Sequence, residues 1–331
     1  MSQTIRFAWW NLENLFGPTT SPIEGWNQTR YDRKLEHLGW VIRHMHDGQG
    51  PDLLGVCEVE TEGILHHLVD RHLSDLGYAI VHHDSPDLRG IDVAFLYRDS
   101  VFELDEEKTR AHTIMKRIPT RDIFEIQLIA RANGSRLVVL GNHWPARTGG
   151  QYETEPFRIL TAEHCSVIVQ EHLTEDEDAQ MLLLGDFNDE PFDRAIREYL
   201  LAIRDRDRVV DRRTRRPYVY NCMWPLLDGD DPGTFYYTAN PTAWNMIDQV
   251  MVSPGLLRTG GLRLEEGSVA IFRPPEIQEA GKPKPFRKRG SRWIEGYSDH
   301  FPLVGLLEAT EIRLRRRRPR EMMPPRRTGG W

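Results

Sequence analysis

The sequence predicts an α/β fold in which two mixed sheets pack face to face and carry helices on their outer sides. Short apolar runs typical of buried strands alternate with amphipathic segments in both halves of the chain. Several consecutive runs are separated by too few residues for a crossover helix, which favours two stacked sheets over one doubly wound sheet. The expected architecture is therefore a four-layered α/β sandwich.

The first half begins with a strand at residues 5–11 that runs into a polar loop. Residues 31–45 are predicted to be a helix, because Leu35, Leu38 and Ile42 recur at helical spacing. Residues 64–76 show the same periodicity. The remaining predicted strands of this half are residues 52–57, 78–82, 93–97, 123–130 and 137–140.

The second half repeats this order. Helices are predicted at residues 155–172 and 192–201, and strands at residues 181–184, 218–222, 234–237, 247–252 and 302–306. Residues 274–293 are rich in Pro, Gly, Lys and Arg, which favours a long mobile loop. We assign residues 1–310 to one catalytic domain and residues 311–331 to a disordered arginine-rich tail.

Composition and charge exclude several protein classes. Three cysteines far apart in sequence support neither a disulfide framework nor a cysteine-rich zinc site, so buried reduced thiols are expected. The N-terminus lacks a basic region followed by an apolar one, and no run approaches the roughly 20 apolar residues of a membrane span. These features predict a cytoplasmic protein without stable membrane association.

The charge of the chain is unevenly distributed. Residues 311–331 contain eight arginines and two glutamates, a charge of +6. Since the whole chain has a net charge of −7, residues 1–310 carry −13.

Polar residues follow the apolar runs at the points where the predicted strands end. Six such ends carry Asp, Glu, Asn or His, namely Asn11, Glu58, His143, Asp186 with Asn188, Asp248, and Asp299 with His300. Strand ends display functional side chains, because the strand fixes their position and the loop leaves room for a ligand. A set of carboxylates and amides without cysteine suits Mg²⁺ or Mn²⁺, the ions that phosphoryl transfer requires.

Six motifs resemble those of the endonuclease/exonuclease/phosphatase superfamily, which has the deoxyribonuclease I–like fold. They are WNLENLF at residues 10–16, GVCE at 55–58, GNHWP at 141–145, LGDFN at 184–188, ID at 247–248 and SDHFP at 298–302. GDFN and SDH are the most specific, and all six occur in the order of the family. The first motif and the HWPAR segment are similar to a bacterial branch of the superfamily.

The resemblance implies a role for each strand-end residue. Glu58 would be the principal metal ligand beside Asn11, and Asp299 would bind a metal or orient His300. His300 would be the general base, or in another account would hold the phosphate, and Asp248 would fix its tautomer. Asp186 would position the nucleophile or protonate the leaving group, and His143 and Asn188 would contact phosphate oxygens.

A second group of residues has weaker signals. Arg89, Arg147 and Arg158 are predicted to bind substrate phosphate. A turn before a strand explains Arg89 equally well, and surface positions explain Arg147 and Arg158 equally well. Glu13 and Asn14 are weaker candidates still, and Glu13 can also be a solvated loop acid.

These residues predict a metal-dependent phosphodiesterase, a nuclease acting on DNA or RNA. The alternative is a phosphatase or phosphodiesterase on a small phosphoester, an inositol phosphate or a phospholipid headgroup, because the fold hosts both activities. A non-catalytic binding module would have a broken acidic set, whereas this set is complete. Strand preference, endo- versus exo-cleavage, metal count, oligomeric state and the role of the tail are left open by the sequence.

Overall fold

The computed structural model describes residues 3–115, 119–214, 216–229, 231–238, 242–258 and 260–310. The predicted arginine-rich tail lies outside these residues. The first half contains β1 (Gln3–Leu15), α1 (Gln28–Gly48), β2 (Leu53–Val59), α2 (Glu62–Leu68), β3 (Tyr78–His82), β4 (Asp92–Arg98), β5 (Phe102–Leu104), β6 (Arg110–His112), β7 (Ile123–Ala130), β8 (Arg136–His143) and α3 (Gln151–Glu175).

The elements of the second half are mostly shorter. They are β9 (Met181–Asp186), β10 (Ala202–Ile203), α4 (Arg206–Val210), β11 (Val219–Asn221), α5 (Trp224–Leu227), β12 (Phe235–Tyr237), β13 (Ala243–Asn245), β14 (Asp248–Val252), α6 (Pro254–Leu257), β15 (Leu262–Leu264), β16 (Ala270–Ile271), β17 (Gln278–Glu279), β18 (Lys282–Pro283), β19 (Phe286–Arg289), β20 (Arg292–Glu295) and β21 (Leu303–Ala309).

Two mixed sheets form the centre of the fold, as predicted. The first has the strand order β15-β21-β1-β2-β4-β3, with β16 also paired to β21. The second has the order β10-β11-β14-β9-β8-β7-β5, with β6 also paired to β7. The β1–β2, β8–β9 and β10–β11 pairs are parallel and the other strand pairs of the two sheets are antiparallel.

The side chains of β8 and β9 show why both faces of the second sheet are covered. Leu137 and Val139 belong to the large core shared with the first sheet, whereas Val138 and Leu140 pack in a separate core with α3. Successive side chains of a strand point to opposite faces, so a strand buried on both sides is apolar throughout. The helices α1 and α2 cover the first sheet in the same way, which gives the four layers.

The predicted helices are present with changed ends. The Asn27 side chain accepts a hydrogen bond from the Arg30 N–H and caps α1, and helical geometry is lost at Met45. The predicted helix at residues 64–76 is α2 continued by a π turn at Val69–Leu73 and a 3-10 turn at Ser74–Leu76. Between residues 192 and 201 only a π turn, Ala195–Tyr199, is formed.

The prediction of a mobile loop at residues 274–293 is wrong. This segment forms two hairpins, β17–β18 and β19–β20. The second hairpin is held by an aromatic cluster, in which Phe286 and Trp293 pack against Trp26 at centroid distances of 5.7 and 5.9 Å. Composition alone did not predict the hairpins, because the segment is mostly basic, Pro and Gly. Its two aromatic residues nevertheless supply enough apolar area to order it. Among the described residues, no helix has the length and apolar character to cross a bilayer.

Candidate active site

The register of the second sheet brings three predicted site residues side by side. His143 on β8 pairs with Asp186 on the parallel strand β9, and Asp186 pairs with Asp248 on the antiparallel strand β14. Directly paired residues lie about 5 Å apart across a sheet. A continuous row of functional side chains therefore crosses three adjacent strands at their ends.

The first sheet contributes Asn11, four residues before the end of β1, and Glu58, the last residue but one of β2. Asn11 is paired with Cys57, the residue before Glu58. Glu58 has a φ of +63° and lies where the pairing of β2 with β4 shifts register. A left-handed residue in a β-bulge redirects its side chain, and a non-glycine residue there costs on the order of 1 kcal/mol. The bulge places the Glu58 carboxylate where its Oε2 accepts a hydrogen bond from the Asn14 N–H at 2.8 Å.

Two buried hydrogen bonds join the sheets at the site. Trp9 Nε1 donates to Asp248 Oδ1 at 3.1 Å, and Asn11 Nδ2 donates to Asp186 Oδ2 at 3.1 Å. Gly55, paired with Trp9, gives the indole its space, because a Cβ at this position would lie 2.7 Å from the Trp9 ring. Side chains of β1 therefore fix both carboxylates of the second sheet.

His300 is held in one orientation. Its ring Nδ1 lies 2.7 Å from Asp248 Oδ2. Its backbone N–H donates to Ser298 Oγ, and its backbone carbonyl accepts from Trp10 Nε1 at 2.9 Å. The free nitrogen, Nε2, lies 4.0 Å from Asp186 Oδ2 and 3.9 Å from Asp299 Oδ1. Burial opposes the imidazolium, but the carboxylates of Asp248, Asp299 and Asp186 outweigh it and raise the pKa of His300 well above its usual value.

Asp186 lies at the centre of the cluster and is 2% exposed. Its Oδ1 accepts a hydrogen bond from the Asn188 N–H at 3.0 Å. Burial, together with the nearby charge of Asp248, raises the pKa of Asp186 to about 7. A carboxyl group with such a pKa exchanges a proton near neutral pH, which is the property of a general acid or base.

His143 faces the same centre. Its Nε2 lies 3.7 Å from Glu58 Oε1 and 3.9 Å from Asp186 Oδ2. Burial, reinforced by the charges of Arg121, Arg89 and His300, lowers the pKa of His143 well below its usual value. The imidazole is therefore neutral, and it can donate a hydrogen bond without adding charge.

Asp299 belongs to a separate ionic network at the edge of the site. The Arg287 guanidinium on β19 pairs with both Asp299 and Glu13. Glu13 is 4% exposed, so the alternative of a solvated loop acid is wrong. Burial and the charge of Asp299 raise the pKa of Glu13 to about 7, and burial lowers the pKa of the nearby Lys34 ammonium to about 8.

The three predicted substrate arginines occupy different environments. Arg89 is about half exposed at the mouth of the site, with its guanidinium 2.7 Å from Asn14 Oδ1 and 3.8 Å from Glu58 Oε2. Arg147 Nε donates to the Asn188 carbonyl at 2.6 Å. Arg158 is fully buried and donates to Asp189 Oδ1 at 2.7 Å. Of these three arginines, Arg89 faces the cluster, whereas the other two brace the loop that follows Asp186.

The residues that meet here fit a divalent cation with a preference for oxygen. Asp186, Asp248 and His300 present ligand atoms within 4.8 Å of one another. Both oxygens of Asp248 and both oxygens of Asp186 already accept hydrogen bonds, whereas Glu58 Oε1 accepts none from the described residues and is the better placed ligand atom. The raised pKa of Asp186 shows that added positive charge would be favourable at this point. The cluster of acidic and histidine residues can therefore bind a metal ion.

Sequence reasoning missed several residues that support the site. Lys34 is fully buried, donates to the Tyr297 carbonyl, and lies on the apolar face of α1, three residues after Tyr31 and four before Leu38. That spacing was a readable signal. Arg121 donates to the carbonyl of His143 at 3.1 Å and offered no such signal, because it lies in an irregular segment.

The chain is similar to known proteins over almost its full length. The profile of the Endonuclease/Exonuclease/phosphatase family matches residues 7–309. A crystal structure of an endonuclease/exonuclease/phosphatase family protein from Bacteroides thetaiotaomicron has a TM-score of 0.59 and 16% identity, covering 94% of this chain and 99% of that one. No curated protein matches the chain by sequence.

Two further structures have the same fold. The Bacteroides thetaiotaomicron mannosyl-6-phosphatase has a TM-score of 0.55 and 16% identity, with coverage of 92% of this chain and 99% of that one. The D. rerio TDP2 complexed with single strand DNA product has a TM-score of 0.57 and 13% identity, with coverage of 93% and 99%. At these identities the likeness establishes the fold, two mixed sheets with outer helices.

Proposed function

Since the chain belongs to the endonuclease/exonuclease/phosphatase family, whose members hydrolyse phosphoesters, we propose that it is a divalent-metal-dependent nuclease that hydrolyses phosphodiester bonds in DNA or RNA. The observation that carries this proposal is the pairing of His300 Nδ1 with Asp248 Oδ2 at 2.7 Å, next to Asp186. A histidine fixed by a carboxylate has a defined tautomer and one nitrogen left for the reacting groups.

Asp186 is proposed to position the attacking water and to accept its proton. Its pKa of about 7 makes the carboxylate a useful base near neutral pH. His300, whose pKa is raised, remains an imidazolium at that pH and donates from Nε2 to an oxygen of the phosphate. Of the two roles that the family resemblance implies for His300, this arrangement favours holding the phosphate.

His143, Asn188 and Arg89 are proposed to contact the remaining phosphate oxygens. The His143 imidazole is neutral and directs Nε2 into the cluster. Asn188 has a φ of +51°, and its Nδ2 donates one hydrogen bond to the Trp144 carbonyl, which leaves its second N–H for substrate. The Arg89 guanidinium can bind two phosphate oxygens at once.

Glu58, Asn11 and Asp299 are proposed to hold Mg²⁺ or Mn²⁺, on the side of the cluster away from Asp248. A divalent ion bound there would neutralise charge that develops on the phosphate. The Glu58 bulge keeps its carboxylate directed toward His143, and Asp299 would exchange its Arg287 contact for the ion. Arg147 and Arg158, predicted as phosphate ligands, are proposed instead to position the Asp186–Asp189 turn.

The test is a substrate panel with Mg²⁺ and with Mn²⁺. Single-stranded, double-stranded and abasic DNA, RNA and bis(4-nitrophenyl) phosphate are incubated with wild type, Glu58→Gln and His300→Ala. The exposed Glu62→Gln and His66→Ala serve as matched controls, because both lie on the surface of α2. We expect cleavage of at least one polynucleotide by the wild type and both controls and none by the site variants. Intact nucleic acids in every wild-type reaction would refute the proposal.

A phosphatase on a small phosphoester is the second candidate. The observation that favours it is the structural likeness to a mannosyl-6-phosphatase at a TM-score of 0.55. The same residues would act on a terminal phosphate. Release of inorganic phosphate from sugar phosphates or inositol phosphates, with polynucleotides left uncut, would establish this alternative.

A further inference from the structure

A cleft opens beside the active site and is lined by the two hairpins that follow residue 277. Its volume is about 480 Å³, which is within the range of ligand-binding clefts. One end is formed by Asp299, the neighbour of His300, and the wall continues along β18 and β19 to Gly290. Arg287 lines the cleft and also contacts Asp299, so the cleft adjoins the reacting centre.

The charges in this cleft are unequal. Four cations, Lys282, Arg287, Lys288 and Arg289, face only two acids, Glu279 and Asp299. Arg287 is already engaged by Glu13 and Asp299, and Lys288 pairs with Glu24 at 2.7 Å.

Lys282 and Arg289 differ from the other two cations. Within the described ranges, neither has a carboxylate oxygen within 4.0 Å, even though Glu279 lies opposite Lys282 in the hairpin. The Lys282 ammonium instead lies over the Tyr236 ring, 3.7 Å from its centroid. The ammonium also hydrogen-bonds to the Tyr236 hydroxyl, which leaves its other two N–H donors for an anion while the ring stabilises its position.

The walls of the cleft are fixed rather than loose. Tyr236 packs edge-on against Trp244 at 5.2 Å, and Trp244 stacks on Phe301, the residue after His300. On the other side, Phe286 is 2% exposed. Trp293, on the paired strand, lies under the Arg30 guanidinium at 4.7 Å. Lys282 is therefore held at a defined position next to the site, and the exposed Arg289 side chain lines the same cleft. A fixed cation with a second one beside it is an arrangement that can bind an anionic group.

We propose that this cleft is a subsite for a non-reacting phosphate of a nucleic-acid strand, bound by Lys282 and Arg289 and positioned by Tyr236. The inference rests on the proposed nuclease function and deepens it, because a substrate with a single phosphate cannot use the subsite. The subsite would make the enzyme favour strands over small esters.

The test measures binding without turnover. A fluorescent single-stranded oligonucleotide of about ten nucleotides is titrated into the full chain in EDTA at several salt concentrations. The variant is Lys282→Gln/Arg289→Gln. The matched control is Lys284→Gln/Arg292→Gln, which removes the same residue types from the same segment although neither residue lines the cleft.

Each phosphate contact contributes about 0.7 to the slope of log K against log salt concentration for single strands. Because both cations bind the same phosphate, we expect the cleft variant to lose about 0.7 of that slope and to bind at least roughly tenfold more weakly. The control should keep the wild-type slope. Any of three results would overturn the subsite: the cleft variant keeps the wild-type slope and affinity, the control loses as much slope and affinity as the cleft variant, or the wild type does not bind the oligonucleotide.

Hydrolysis of bis(4-nitrophenyl) phosphate separates this inference from the proposed function. The compound carries one phosphate, so the cleft variant should hydrolyse it at the wild-type kcat/KM, while its KM for the oligonucleotide rises. If the wild type hydrolyses neither compound but binds the strand through Lys282 and Arg289, the proposed activity fails and the subsite stands. If the wild type cleaves both the oligonucleotide and bis(4-nitrophenyl) phosphate and the cleft variant behaves as wild type, the subsite is refuted and the proposed function stands.

Discussion

Replacing Asp248 with asparagine tests the orientation of His300 by changing one atom. Asp248 Oδ1 accepts from Trp9 Nε1 at 3.1 Å, and Oδ2 lies 2.7 Å from His300 Nδ1. An asparagine has one acceptor oxygen and cannot serve both donors. With that oxygen on Trp9, its NH₂ group faces His300 Nδ1 and favours the tautomer with the proton on Nε2. The His300 imidazolium also loses the negative charge of Asp248, which is its main stabilising charge.

The expected loss is large. In the Ser-His-Asp proteases, where a buried carboxylate likewise fixes a histidine tautomer, the same substitution lowers kcat about 10⁴-fold. We expect kcat/KM of Asp248→Asn to fall about 10³–10⁴-fold, equivalent to about 4–5.5 kcal/mol. Initial rates on the oligonucleotide with Mn²⁺ measure this, and thermal unfolding verifies that the variant is folded.

A second substitution checks the cause of the loss. Trp9→Phe in the Asp248→Asn background removes the competing donor, so the amide can turn its oxygen toward His300 Nδ1. We expect a regain of about tenfold relative to Asp248→Asn, after correction for the effect of Trp9→Phe alone. Activity of Asp248→Asn within a factor of about ten of wild type would refute the reasoning.

Three other predictions concern charge and support. The pH profile of kcat/KM should rise as Asp186 loses its proton and fall at the raised pKa of His300; a profile without the rising limb would contradict the role of Asp186, and one without the falling limb would contradict that of His300. Because the raised pKa favours protonated Asp186 in the folded state, stability is lost as pH rises from about 4 to about 7; the effect of Asp186→Asn on the unfolding free energy in EDTA should therefore be more favourable at pH 8 than at pH 4 by about 1–3 kcal/mol, and an equal effect at both pH values would contradict the raised pKa. Arg287→Gln should lower the free energy of unfolding by about 1–2 kcal/mol, a figure already discounted because the side chain is 42% exposed. It should also increase the rise in Tm on adding MnCl₂, because Asp299 loses a competing cation. An unchanged response to MnCl₂ would count against Asp299 as a ligand.

The sequence could indicate which residues gather at the candidate site, because strand ends are visible as breaks in apolar runs. Leu182 to Leu184 end at Gly185 and Asp186, and this order alone places a carboxylate at the edge of a sheet. Which strand ends meet depends on sheet order and register, and these are set by pairings far apart in sequence. The row His143, Asp186, Asp248 exists because β9 lies between β8 and β14, which no local pattern reports.

The supporting contacts were less predictable for a related reason. Trp9 reads as a core residue, and its Nε1 contact to Asp248 depends on the space left by Gly55 on the neighbouring strand. Arg158 reads as a surface cation, yet it is fully buried against Asp189. Burial of a charged side chain depends on its partner in space, so composition and spacing do not reveal it.

The position of β21 has a consequence for how the protein is made. This strand is inserted between β15 and β1, so the first sheet is incomplete until residues 303–309 have been synthesised. The turn that leads into it carries Asp299 and His300. During synthesis the residues of the second sheet, with Asp186 and Asp248, therefore precede the histidine that Asp248 contacts. The strand that completes the first sheet and the histidine that completes the cluster therefore arrive together, in the same last segment of the described chain.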